Sequence, residues 1–208
     1  MTTARDLLTI TMDMPSSRPV ERGDLSLALA GAEAVDLIRL HAVTLTEGRL
    51  VPGTRGPAHD RLLDAAVASL VREAPYETVD DWLWRRGRGL PAAYLAAFEE
   101  DGQLTRQRER RWVVFGRSHM VLADSADRRR AAHRWAADEP VLTALATTIG
   151  VTEQTGSTDP AEAPEVPDAD VADVLAAVVA AVAELANERG RRTRRLEEAN
   201  ENNVRRGY

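Results

Sequence analysis

Arginine side chains supply the clearest candidate chemistry in this chain. Between residues 85 and 134 there are twelve arginines against six acids, a local excess of +6 in a chain whose formal net charge is −6. A guanidinium group presents a planar fork of N–H donors that matches the oxygens of a phosphate. If the elements that carry these arginines share a face, that face suits a phosphate ligand. The alternative is that the arginines are dispersed and solvated, or paired with acids.

Patterns that mark common enzymes are missing from the sequence. There is no nucleophile elbow, phosphate-binding glycine loop, dinucleotide-binding glycine pattern or H-E-x-x-H helix, and there is no cysteine. The four histidines, His41, His59, His119 and His133, are scattered singly, and only His59 has a carboxylate beside it, that of Asp60. A loop histidine is a better interpretation of that pair than a metal or acid–base site. We expect a protein that is not an enzyme and that needs no metal or cofactor.

Composition predicts a mainly helical fold. Alanine and leucine are abundant and aromatic residues make up only 4% of the 208 residues, so few β-prone side chains compete with helix formation. The length fits one compact domain with an extension. The most continuous apolar run, residues 174–182, is well short of the ~20 residues that span a bilayer, and residues 1–15 are too polar for a signal peptide. We expect a cytoplasmic protein that meets a membrane only at its cytoplasmic face.

Hydrophobic periodicity and capping residues predict six helices within residues 24–149. The first of them contains Gly31, which suggests close packing. A short hairpin pairs residues 41–45 with residues 49–51 around a turn at Gly48. Residues 1–15 are interpreted as a strand or a short helix. The helices are expected to begin near Asp24, Leu62, Thr78, Pro91, either Asp124 or Ser125, and Pro140.

Residues 104–115 are interpreted as a second β-hairpin with a charged tip. Its second arm, residues 112–115, has four β-prone apolar residues in succession, so alternation points Trp112 and Val114 to one face and their neighbours to the other. One face can pack on the helical body, but the other needs cover from a second molecule. The alternative is that both faces pack within one chain. We predict a homo-oligomer formed through a hairpin contact at Arg108, Arg110, Trp112 and Val114.

The C-terminal part divides into an acidic segment and a helix. Residues 151–170 contain many acids and three prolines, which is typical of a solvated, disordered linker. Apolar residues from Val171 to Leu185 then follow a heptad-like spacing on an amphipathic helix. That helix either docks on the protein's own body or pairs with a partner. The predicted organisation is a helical domain at residues 4–150, an acidic linker at residues 151–170 and a C-terminal helix at residues 171–200.

Several blocks of sequence resemble the Golgi phosphoprotein 3 family over about residues 4–150. Residues 56–66 read G-P-A-H-D-R-L-L-D-A-A, residues 75–82 read P-Y-E-T-V-D-D-W, and residues 100–104 read E-D-G-Q-L. Residues 5–8 resemble the opening strand of that family, and residues 25–50 resemble its small-residue helix and the E-G-R-L that follows. All 27 basic residues are arginine, which is typical of a GC-rich genome, and we expect a bacterial member.

The resemblance implies a single, mainly helical domain with a projecting hairpin that helps members to self-associate, and no enzymatic activity. Eukaryotic members of this family are peripheral membrane adaptors. They bind phosphatidylinositol 4-phosphate through a basic pocket, and they hold the cytoplasmic tails of glycosyltransferases for retention in the Golgi.

The lipid-contact positions of that family fall on Glu21, Ala30, Arg88 and Pro91, and only Arg88 is basic. One arginine cannot reproduce a phosphate site built from several charge-assisted hydrogen bonds. A gap of a few residues would bring neighbouring arginines to the site instead. The candidate lipid-binding residues are therefore Arg88, Arg85, Arg86 and Arg22.

These observations favour a non-enzymatic peripheral membrane adaptor that binds an anionic phospholipid or phosphoinositide headgroup, together with protein clients. The alternative is a cytoplasmic protein-interaction scaffold that has lost lipid binding, since Glu21, Ala30 and Pro91 stand where lipid contacts would be. A lesser alternative is a winged-helix protein that binds the nucleic-acid backbone, which the acidic net charge disfavours. We therefore expect no nucleic-acid partner.

Overall fold

Eight helices and two β-hairpins make up the residues that the computed structural model describes, namely 2–14, 19–54, 60–108, 118–151 and 166–206. The predicted mainly helical class is confirmed. Within these residues, every helix is either too short or too polar to cross a membrane. The elements in chain order are α1 (Thr3–Asp13), α2 (Arg22–Arg39), β1 (Val43–Thr46), β2 (Arg49–Pro52), α3 (Arg61–Ala68), α4 (Val79–Arg86), α5 (Leu90–Glu100), β3 (Leu104–Arg108), β4 (Ser118–Leu122), α6 (Ala126–Ala136), α7 (Pro140–Thr148) and α8 (Ala169–Arg206).

Helix α2 lies at the centre of the core. Every residue from Leu27 to Ile38 is buried, and most of these residues are alanine, leucine or valine, so that neighbouring helices can approach from several sides. Helices α1, α4, α5 and α8 all pack against it. The closest approach is at Gly31, where a Cβ atom would lie 2.3 Å from Cγ2 of Val178 on α8. The missing side chain of Gly31 therefore sets the distance between α2 and α8.

Residues 3–13 form a helix, so the short-helix interpretation of the N-terminus is correct and the expected opening strand is wrong. Leu7, Leu8 and Ile10 are buried, and α1 packs on α2, α6 and α7. The hydroxyl of Thr2 accepts a hydrogen bond from the backbone N–H of Arg5 at 3.3 Å and caps the helix. Both sheets of the described chain are two-stranded hairpins that do not include this segment, and its backbone groups are satisfied within the helix instead.

The two predicted hairpins are present. In the first, β1 pairs with β2 from Val43 opposite Pro52 to Thr46 opposite Arg49, around Glu47 and Gly48, which both have positive φ. In the second, β3 pairs with β4, and the buried side chains of Leu104 and Leu122 lie opposite each other at its base.

The described part of the second strand of that hairpin is Ser118–Leu122, which pairs with Leu104–Arg108. The predicted second arm at residues 112–115 lies outside the described part of the chain. Residues 109–117 lie outside the described part of the chain, and this range includes Arg110, Trp112 and Val114 of the predicted hairpin contact.

Helix starts agree with the sequence except at α2. The hydroxyl of Thr78 accepts from the backbone N–H of Asp81 at 3.0 Å, Ser125 caps α6 in the same way, and Pro91 lies in the first turn of α5. Asp24 is not the cap of α2, because the helix begins at Arg22 and Asp24 falls in its first turn. There the carboxylate pairs with Arg189 of α8.

Helix α8 docks on the body over its first half only. Val171, Val174, Val178 and Ala181 are buried, and the helix contacts α2, α4 and α7. Docking on the protein's own body is therefore confirmed for this half. From residue 191 to residue 201 every residue is exposed, so the second half extends away from the body. The predicted linker falls mostly on residues 152–165, which lie outside the described chain.

Replacing Gly31 by alanine is expected to lower the free energy of unfolding by about 1–3 kcal/mol, because the added methyl group overlaps Val178 and forces α8 away from α2. Gly190→Ala is the matched control, since a Cβ there meets only the tip of Arg194 at 3.7 Å and gains up to about 1 kcal/mol of helix propensity. Urea unfolding followed by circular dichroism compares them. Equal stability of the Gly31 variant and the wild type would contradict the close packing of these helices.

Candidate phosphate-binding site

Arg88 lies in the tight turn that joins α4 to α5. Gly87 ends α4, and Gly89, with φ of 73°, begins α5. A Cβ atom on Gly87 would lie 2.7 Å from the carbonyl oxygen of Leu83 and 2.9 Å from that of Ser26 on α2. Only glycine fits this approach, and the turn is thereby held against the N-terminal half of α2. Arg88, the next residue, is exposed at this junction.

Arg22 lies one turn from the same junction. It is the first residue of α2, and its carbonyl oxygen accepts a hydrogen bond of 2.9 Å from the hydroxyl of Ser26. Ser26 therefore touches both the first turn of α2 and the turn that carries Arg88. The side chains of Arg22 and Arg88 are exposed and form no hydrogen bond or ion pair with the described residues. Both guanidinium groups are available to a ligand.

Two helix N-termini at this junction lack a side-chain cap. Neither Glu21, at the start of α2, nor Gly89, at the start of α5, accepts a hydrogen bond from the first turn through a side chain. Their unpaired N–H groups and helix dipoles favour an anion. The other described helices are capped by the side chains of Thr2, Asp60, Thr78, Ser125, Glu139 and Asp168.

Arg85 is already engaged by the protein. Its guanidinium donates two hydrogen bonds to Glu77, at 2.6 and 2.7 Å, and one to the carbonyl of Ser69 at 3.1 Å. It also lies over the ring of Trp82, 5.4 Å from the ring centroid. The hydrogen bonds to Glu77 raise the pKa of Arg85 above its ordinary value. This arginine would have to give up a bidentate ion pair to bind a phosphate.

Arg86 belongs to a buried ion pair beneath the surface. It donates to Glu33 at 2.7 and 3.0 Å, and Glu33 is fully buried and also accepts from the hydroxyl of Tyr94 at 3.1 Å. Burial raises the pKa of Glu33, while the hydrogen bond from Arg86 acts in the opposite direction. Burial likewise raises the pKa of Tyr94 well above its usual range. Arg86 therefore has a structural partner in Glu33. Unlike Arg22 and Arg88, it is not an unpaired cation.

Most described arginines of the basic segment are paired with acids. Arg128 pairs with Asp13, and Arg134 pairs with Asp6 and Glu139, so acids from outside the segment neutralise them. Arg129 and Arg130 pair with acids of their own region, Asp124 and Asp127. The side chain of Arg108 on β3 is not among the described ones. The alternative of pairing with acids therefore holds for these residues, and among the described side chains of the segment Arg88 is the exception.

The remaining positions suggested by the family resemblance do not offer contacts to a phosphate. Ala30 is fully buried, and its carbonyl oxygen accepts from the indole N–H of Trp82 at 3.0 Å. Pro91 is buried in the first turn of α5. Glu21 is exposed but carries the same sign of charge as a phosphate.

A cavity of about 440 Å³ at the start of α2 was not expected from the sequence. It is lined by residues of three distant segments, and only the fold brings them together. The ion pair between Asp24 and Arg189, 2.9 Å apart, lies in its wall. Among the described residues there is no group of three or more side chains suited to hold a metal ion. The lining residues are Pro19, Glu21, Asp24, Ile149, Gly150, Ala186 and Arg189.

Comparison with known proteins agrees with the blocks of sequence described above. No curated protein matches the chain significantly. The family model described as Golgi phosphoprotein 3 (GPP34) matches residues 4–202, so the match runs past residue 150 and includes most of α8. It covers nearly the whole of the 208-residue chain. The protein belongs to the Golgi phosphoprotein 3 family.

Proposed function

We propose that the protein is a non-enzymatic peripheral membrane adaptor that binds the phosphate of an anionic phospholipid or phosphoinositide headgroup through Arg22 and Arg88. Membership of a family of non-enzymatic adaptors fits this function. The observation that carries the proposal is the contrast between these two unpaired, exposed arginines and the ion-paired arginines around them.

Several features support a phosphate at this junction. Arg22 is the first residue of α2 and Arg88 directly precedes the N-cap of α5, and the uncapped N-termini of these two helices add partial positive charge. The close contact of Gly87 with Ser26 holds the two segments together, so little ordering is needed when a ligand binds. Arg85 and Arg86 are not part of the proposed phosphate contact, because their guanidinium groups already pair with Glu77 and Glu33.

Wild-type protein is expected to sediment with vesicles that contain phosphatidylglycerol or phosphatidylinositol 4-phosphate and to stay in solution with pure phosphatidylcholine. Binding is expected to weaken as salt is raised from 0.05 to about 0.5 M, because exposed charges are screened within about a Debye length. Comparing the two anionic lipids shows whether the phosphoinositide is preferred. If the protein sediments with neither anionic lipid at low salt, the proposal is refuted.

A second candidate function is a protein-interaction scaffold without lipid binding. It is favoured by the burial of Ala30 and Pro91 and by the acidic side chain of Glu21, where family members contact lipid. The vesicle experiment separates the two candidates. A scaffold would not bind vesicles of either anionic lipid, yet it would still capture protein partners in a pull-down from the source cell.

Self-association through the second hairpin remains part of the proposal. Replacing residues 107–119 by a short glycine–serine turn keeps the base of the hairpin, from Leu104 opposite Leu122 to Arg106 opposite Met120, and removes its outer part. Light scattering is expected to give a smaller mass for this variant than for the wild type. Equal masses would contradict a hairpin contact between copies.

A further inference from the structure

The second half of α8 projects from the body over the residues whose side chains are described. Residues 191–201 are all exposed, and the helix continues to Arg206. At 1.5 Å per residue, the part beyond Gly190 extends about 24 Å. An isolated helix of this length is marginal in water unless something stabilises it.

One face of this projecting helix carries a stripe of alternating sign. Arg191, Arg194, Glu198 and Glu201 follow one another at intervals of three, four and three residues, which places them on the same side. The two basic residues come first and the two acidic residues follow. Arg194, Glu198 and Glu201 form no ion pair with the described residues, and Arg191 shares Glu188 with Arg192. Three of the four charges of the stripe are thus not paired within the described part of the chain.

We infer that this stripe pairs antiparallel with the same stripe of a second copy of the chain. The four residues are arranged symmetrically about residue 196, because 191 and 201, like 194 and 198, have 196 as their midpoint. When two such helices run in opposite directions about that point, Arg191 faces Glu201 and Arg194 faces Glu198. The two-fold axis repeats each contact, so four layers of opposite charge form.

Other occupants fit the charge pattern less well. A parallel pairing in register would place Arg191 against Arg191 and Glu198 against Glu198, which is repulsive. An anionic membrane surface would attract the two arginines and repel the two glutamates. The stripe is complementary to itself, and a second copy is the partner that satisfies all four residues.

The pairing is weak and sensitive to salt. Exposed ion pairs are screened by salt and each adds little, so the helices associate best when copies are already concentrated, for example by the hairpin or on a membrane. The contact is independent of lipid binding by Arg22 and Arg88, and either function can fail without the other.

Energy transfer between copies of the full chain tests the pairing. Because the chain has no cysteine, Leu196→Cys gives a single dye site. This side chain is 71% exposed, is level with the proposed two-fold axis along the helix, and lies on the face opposite the stripe, so the dye leaves the contact free. Donor-labelled and acceptor-labelled copies are expected to show transfer that falls as salt is raised. No transfer at low salt would overturn the inference.

Charge reversal makes the test specific. The pair Arg191→Glu and Arg194→Glu gives an all-acidic stripe, and the pair Glu198→Arg and Glu201→Arg gives an all-basic stripe. Each alone is expected to raise the dissociation constant at least about tenfold, and an equimolar mixture of the two is expected to regain transfer. The chain with all four reversals restores the alternation and is expected to pair with itself.

Two results would overturn the inference. One is transfer that does not change in either charge-reversed variant, as expected if another surface brings the copies together. The other is a mixture that transfers no better than the separate variants. Circular dichroism of each variant confirms that α8 keeps its helix, so that loss of transfer reports on pairing.

Discussion

Replacing Arg86 by alanine is expected to lower the free energy of unfolding by about 3–5 kcal/mol, the cost of removing one partner of a buried ion pair. The side chain of Glu33 is fully buried and that of Arg86 is 16% exposed, so removal of the guanidinium would leave a buried carboxylate without its charged partner. Glu33 would keep only the hydroxyl of Tyr94 as a hydrogen-bond donor. Urea unfolding at pH 7 measures the loss.

Arg88→Ala is the matched control for that variant, because it removes the same side chain two residues away. The side chain of Arg88 is exposed and unpaired within the described structure. The free energy of unfolding of this variant is therefore expected to stay within about 0.5 kcal/mol of that of the wild type. The deficit of Arg86→Ala is expected to shrink as the pH is lowered, because burial raises the pKa of Glu33 and a protonated Glu33 needs no charged partner. Similar stabilities of the two variants would contradict the structural role of Arg86.

Asp36 is expected to make stability depend on pH. Burial raises the pKa of this carboxyl group from 3.8 to about 6, against the opposing hydrogen bonds from Thr3 and Ala4 at the start of α1. The folded state therefore holds the proton more tightly than the unfolded state. Stability from this group is fully present below pH 4 and is lost as the pH rises through 6, a change of about 3 kcal/mol.

The variant Asp36→Asn isolates this effect from the other carboxyl groups. The stability of the wild type minus that of the variant is expected to rise by up to about 3 kcal/mol as the pH falls from 7 to 4. Urea unfolding of both proteins at each pH gives the difference. A difference that stays constant, or that shrinks toward acid pH, would show that Asp36 does not titrate in this range.

Local features of the fold could be predicted from the sequence, because their causes lie within a few residues. Helical periodicity marks α3 and α8, the Thr78 hydroxyl caps its own next turn, and Gly48 marks the turn of the first hairpin. The pairing of Leu104 with Leu122 could not be predicted, because it depends on the core below the hairpin.

The state of each arginine could not be predicted, because its partner is distant in sequence. Glu33 lies 53 residues before Arg86, and Asp13 lies 115 residues before Arg128. Composition alone gives a basic segment of +6, and the fold brings acids from α1 and α2 to neutralise much of it. Only the three-dimensional structure distinguishes Arg22 and Arg88 from their paired neighbours.

The measurement that tests lipid binding at this junction most directly is co-sedimentation of the double variant Arg22→Ala and Arg88→Ala with phosphatidylglycerol and phosphatidylinositol 4-phosphate vesicles. The control is the double variant Arg61→Ala and Arg129→Ala, which removes the same charge from exposed surface ion pairs. We expect the first variant to lose affinity at least about tenfold and the control to bind nearly as well as the wild type. Equal binding by the two double variants would contradict a headgroup site at Arg22 and Arg88.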